Sequence, residues 1–106
     1  MLTRDVPLDP AASALLFIDV QNFSAHREGG EWKDLSPEAF EEKLGWFFRE
    51  FEGRVLPNMQ RLREAARGAG VEVLYTTIES LTLDGRDRSL DYKITGFNVP
   101  KGSWDG

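Results

Sequence analysis

From Ala14 the chain runs ALLFI without a polar residue, meets Asp19, and turns polar within two further positions. An apolar run that does not alternate predicts a strand over 14–20 of the kind found in parallel sheets covered on both faces, and therefore a central strand. The preceding residues 1–13 hold Pro7 and Pro10 and show no period, which predicts an extended arm. Residues 24–36 form a polar stretch with the pair Gly29–Gly30, and Ser36 followed by Pro37 predicts the cap and first turn of a helix. Phe40, Leu44, Phe47, Phe48 and Phe51 recur at steps of three and four, an aromatic stripe expected to face the sheet while Glu38, Glu41, Glu42 and Lys43 face water. Gly53 and Pro57 interrupt that pattern. Val55, Met59, Leu62, Ala65, Ala66 and Ala69 resume it, so a break or kink and then a second helical run are expected. Gly68 and Gly70 then predict a helix end, and the β-branched and aromatic residues of 71–77 a second strand.

Strand, helix, strand is a βαβ crossover, right-handed with parallel strands, in which ligands sit beyond the carboxyl ends of the strands. Asp19 stands at that end of the first strand. Residues 78–106 show no sustained period and are expected to be a long loop. Two strands alone leave both sheet edges unpaired and one face uncovered, so residues 1–106 are expected to form the N-terminal part of a single, larger α/β domain.

Composition narrows the function classes. The 106 residues are 41% hydrophobic, 29% charged and 11% aromatic, as in an ordinary globular chain. With 13 Lys plus Arg against 18 Asp plus Glu, the net charge of −5 has the wrong sign for gripping a phosphate backbone, which argues against nucleic-acid partners. No cysteine is present, so neither disulfides nor thiolate metal sites are expected. No long apolar run and no basic-then-apolar leader occur, so neither a membrane partner nor secretion is expected, and the cytoplasm is the expected compartment.

A carboxylate at the end of an apolar strand has several possible jobs. It can be structural, accepting backbone N–H bonds from the next turn or capping a helix. A Mg²⁺-dependent phosphotransfer aspartate calls for a second acid two positions on, where this chain has Gln21. A dinucleotide site calls for a glycine-rich turn directly after the strand, and DVQNF supplies none. The remaining role is a buried general base or orienting group, since apolar surroundings raise a carboxylate's proton affinity.

The ordered set LLFIDVQNF, VLPNMQRLREAARGAGVEVLYTT, DGRDRSLDY and VPKGSWDG resembles the N-terminal half of the isochorismatase-like cysteine hydrolases. It is most similar to the ureidoacrylate and carbamoyl amidohydrolase type, and the likeness spans about Ala12 to Gly106. The resemblance implies a three-layer α/β/α fold with a mostly parallel sheet, no cofactor, a homo-oligomer, and an Asp, Lys and Cys site acting on a small amide or ureido compound. Asp19 is the member of that trio that falls in this sequence. Neither Lys93 nor Lys101 occupies the lysine motif, so lysine and cysteine are expected in a missing C-terminal part, and the 106-residue chain alone is expected to be inactive. In such chemistry the aspartate takes the thiol proton, the thiolate attacks the carbonyl, and water clears the thioester. The alternatives are a non-catalytic α/β fragment or binding half and, with less support from KGSWD, an isochorismate-type vinyl-ether hydrolase.

Phe23 is a candidate pocket wall or a packing residue. Gln21 and Asn22 are candidates for contact with ligand, with turn support the stronger reading. Trp104 is expected to anchor the terminal loop near the site or to meet another subunit. His26 lacks a second histidine and reads as a surface imidazole, so no metal is expected. Arg86 and Arg88 could steer a substrate carboxylate, but a solvated loop or subunit contact accounts for them better.

Overall fold

The computed structural model describes residues 4–101. Two parallel strands, β1 (Ala14–Ile18) and β2 (Glu72–Thr76), pair in register from Ala14 opposite Glu72 to Ile18 opposite Thr76. Between them lie α1 (Asn22–Ala25), α2 (Pro37–Glu50), a π-helical segment (Phe51–Val55) and α3 (Leu56–Gly68); α4 (Leu90–Thr95) follows β2. The fold is mixed α/β. The arm before β1 is not wholly extended, because Asp9 accepts the amide of Ala11 and caps a single 3₁₀ turn at Pro10–Ala12.

Ser36 caps α2 as its sequence predicts, its hydroxyl accepting the Ala39 amide at 3.2 Å, with Pro37 in the first turn. At the expected break or kink the helix does not break but continues through a wide π turn, closed by the bond from Leu56 N–H to the Phe51 carbonyl. Pro57 accounts for this position: its ring and missing N–H cannot fit the regular ladder at residue 53, and a wider turn relieves both. α3 ends in a Schellman motif. Gly70, at φ +79°, lets its own amide reach Arg67 and the Val71 amide reach Ala66, and the chain enters β2.

The aromatic stripe packs largely on itself and on the preceding loop, with Phe51 at its end lining a cavity together with Phe17 and Tyr75 of the sheet. Phe48 is fully buried, stacked on Phe40 and met edge-on by Trp32, Phe47 and Phe51. Arg27 lies 5.8 and 5.7 Å over the Phe40 and Phe48 rings. Trp32 is fixed by an indole N–H bond to the Ser24 carbonyl, so the polar loop before α2 supplies the opposing wall. α3 is the helix that packs along β2.

As expected for two strands alone, one face of the sheet is uncovered among the described residues. Phe17 is buried, but Leu16, Ile18 and Leu74 are 48%, 66% and 42% exposed, because only one face of the two-stranded sheet has a helix against it among the described residues. β1 also stops at Ile18 rather than at residue 20, since Asp19 adopts φ +56° and leaves the strand conformation. The long stretch after β2 is not all loop: Ser89 caps α4 and Gly96, at φ +75°, ends it. No helix among the described residues is long and apolar enough to cross a membrane.

Candidate functional site

Asp19 sits one residue beyond the last pair of the parallel ladder. Its amide reaches the Thr76 carbonyl at 3.1 Å and the Thr76 hydroxyl at 3.0 Å, and its Oδ1 accepts from that same hydroxyl at 2.8 Å. No described residue donates to the other carboxylate oxygen, and the side chain is exposed rather than buried, because the chain turns away from the sheet at this residue. A left-handed conformation at a residue other than glycine costs on the order of 1 kcal/mol, and aspartate is among the side chains that tolerate it best. The arrangement holds one carboxylate oxygen fixed and presents the other to solvent beyond the sheet.

Gln21 is the buried polar residue of the turn. Its Oε1 accepts the Ile78 amide at 2.9 Å and its Nε2 donates to the Ile78 carbonyl at 3.1 Å, so one side chain ties the segment after β1 to the segment after β2. Its side-chain partners lie after β2 rather than in its own turn, so the support it gives runs across the two strand ends. Asn22 opens α1 and Phe23 follows it.

Asn22 and Phe23 line a cavity of about 470 Å³ with His26, Lys33 and Pro100. Phe23 lies over Gly30, and Gly29 is buried against the backbone carbonyls of Asn22 and Phe23, where a β-carbon has no room. The glycine pair, which reads only as a loop signal in sequence, therefore sets the closeness of this wall. Asp19 is not among the residues lining that cavity. The structure thus brings two sequence candidates, Asn22 and Phe23, into one concave surface and leaves the Asp19 carboxylate out of its lining. Trp104 lies outside the described residues.

His26 and Lys33 are lining residues that pattern reading did not select, and a polar loop offers no periodic signal for them. His26 Nδ1 accepts the Glu28 amide at 3.1 Å, which fixes the ring. Nearby, partial loss of hydration raises the Glu31 carboxyl above its ordinary value of 4.5. Arg86 is exposed beside Asp84, whereas Arg88 folds inward and donates to the Gly85 and Phe97 carbonyls, a loop-building role. Among the described residues no three His, Asp or Glu side chains converge to hold a metal ion. Comparison with protein-family models, curated proteins and solved structures gave no match.

Proposed function

We propose that this chain carries the base of a cysteine amidohydrolase of the isochorismatase-like type, with Asp19 as that base. The observation that supports the reading is the Asp19 carboxylate at the carboxyl end of β1, anchored through one oxygen on Thr76 and open at the other. In this mechanism the open oxygen takes the proton of a thiol, and the thiolate attacks the carbonyl carbon of a small amide or ureido compound. The tetrahedral adduct expels ammonia or an amine, and water attacks the resulting thioester to free the acid and restore the thiol. The cysteine and its lysine come from polypeptide beyond this sequence, packed on the open face of the sheet in a three-layer α/β/α domain. A thiol is only partly ionised at neutral pH, so a carboxylate within reach raises the nucleophilic population.

The test is ammonia release from ureidoacrylate, biuret, N-carbamoyl amino acids and nicotinamide by protein that includes the sequence following Gly106. Asp19→Asn is expected to lower turnover by about 10²- to 10⁴-fold while leaving the far-ultraviolet circular dichroism unchanged. A fall of less than tenfold assigns Asp19 to structure. The 106-residue chain by itself, without any cysteine, is expected to be inactive, and iodoacetamide-sensitive hydrolysis by it refutes the scheme.

One observation favours a second reading, a non-catalytic α/β fragment or binding half. The Thr76 hydroxyl that anchors Asp19 also fixes the ends of the two strands, which is a sufficient structural role for the carboxylate.

A further inference from the structure

Among the guanidinium groups of the described residues, Arg63 stands apart. Arg27, Arg49 and Arg54 pair with Glu52, Glu41 and Glu50, while Arg61 and Arg67 on the same helix reach Asn58 and the Tyr75 hydroxyl. Arg63 is half-buried, its Nε is shut off from solvent, and no described residue accepts from that N–H. The chain has more carboxylates than cations, yet none among the described residues lies within ion-pair distance of this one. A ligand in an open cavity cannot touch this sealed N–H, so the Nη end of the guanidinium, which is not sealed, is the edge left for a partner.

Arg63 also lines a cavity of about 270 Å³ between α3 and the sheet. Its remaining walls are mainly apolar: Phe17 and Tyr75, stacked with centroids 5.5 Å apart, face Phe51, Leu56 and Met59. The π turn matters here, because its wider winding brings Phe51 and Leu56, five residues apart, onto one side of the rod. The volume lies near the lower end for ligand pockets, and the lining is the usual mix of apolar wall and few polar groups. Asn22 and His26 of the candidate site also line it, whereas Asp19 does not, so the inference needs no catalytic role for that carboxylate.

We propose that this cavity binds a small carboxylic acid with a planar apolar body, the carboxylate on the Arg63 guanidinium and the body against Phe17, Tyr75 and Met59. A carboxylate is the partner whose geometry matches a guanidinium edge, and the stacked rings offer a flat apolar surface. Calorimetric titration of the 106-residue protein with benzoate, phenylacetate and the neutral isostere benzamide tests this. Expected are saturable binding of at least one acid in the millimolar range or tighter, benzamide at least tenfold weaker than benzoate, and a shift of the Arg63 Nε–H resonance on adding acid. Arg63→Met, which keeps the stem, should weaken acid binding at least tenfold with circular dichroism unchanged. Equal binding of benzoate and benzamide, unchanged affinity in Arg63→Met, or no saturation by either acid overturns the proposal. Should Arg63→Met fail to fold, the benzoate and benzamide comparison and the Nε–H resonance decide on the unaltered protein.

Discussion

A single side chain, Gln21, spans two strand ends with both of its amide atoms, and its removal illustrates what one residue carries. Gln21→Ala leaves the half-buried Ile78 N–H and carbonyl without their partner, and a loss of about 1–2 kcal/mol in urea unfolding is expected. Gln21→Glu separates the two bonds: the carboxylate still accepts from the amide but faces the carbonyl without a proton, so its stability should fall with rising pH, whereas that of the alanine variant should not. Asp87 shows the opposite sign. Bonds from the Leu81 amide and the Thr82 hydroxyl hold its carboxyl below the ordinary 3.8, so the loop it ties is favoured above that value and loses this support as pH falls through the lower, folded value. A chemical-shift titration of the Leu81 amide below about pH 4 should follow that protonation, and Asp87→Asn should abolish the inflection.

At the scale of elements, what was legible depended on whether the signal was local. Ser36–Pro37 and Gly70 act through their own backbone geometry, and both helix ends fall where the sequence places them. The expected stripe of α3 was less successful. Met59 lines the cavity against the sheet and Ala66 is buried, as expected, but Leu62 is 54% exposed and Arg63 lines that cavity beside Met59, because hydrophobic periodicity does not count an arginine on an apolar side. Six residues of α4 are too few to show a period, although Ser89 and Gly96 bracket them. Around the candidate site, the place of Asp19 at the strand end was legible from the break in polarity, while the cavity walls were set by a loop and a glycine pair that carry no such break. Two glycine substitutions test these helical connections. Gly53 has open space where a β-carbon would stand and no positive φ, so Gly53→Ala should stabilise by about 0.5–1 kcal/mol. Gly70→Ala, in the left-handed position of the Schellman motif, should destabilise by about 1 kcal/mol or more, both read from thermal unfolding.

For the whole molecule, the uncovered sheet face is the dominant fact. The Cα radius of gyration is 17.6 Å, against about 13 Å for a compact chain of 100 residues. Leu16, Ile18 and Leu74 lie together on the open side by their pairing, a patch that favours association. Sedimentation of the 106-residue protein is expected to show concentration-dependent self-association, which Ile18→Lys should suppress without loss of helix. The outer edge of β1 is also free among the described residues, and the left-handed turn at Asp19 limits it. Beyond Ile18 the backbone no longer offers its amides in line, so the edge works as a ruler: any strand that docks alongside finds a template of five residues and must stop level with Thr76.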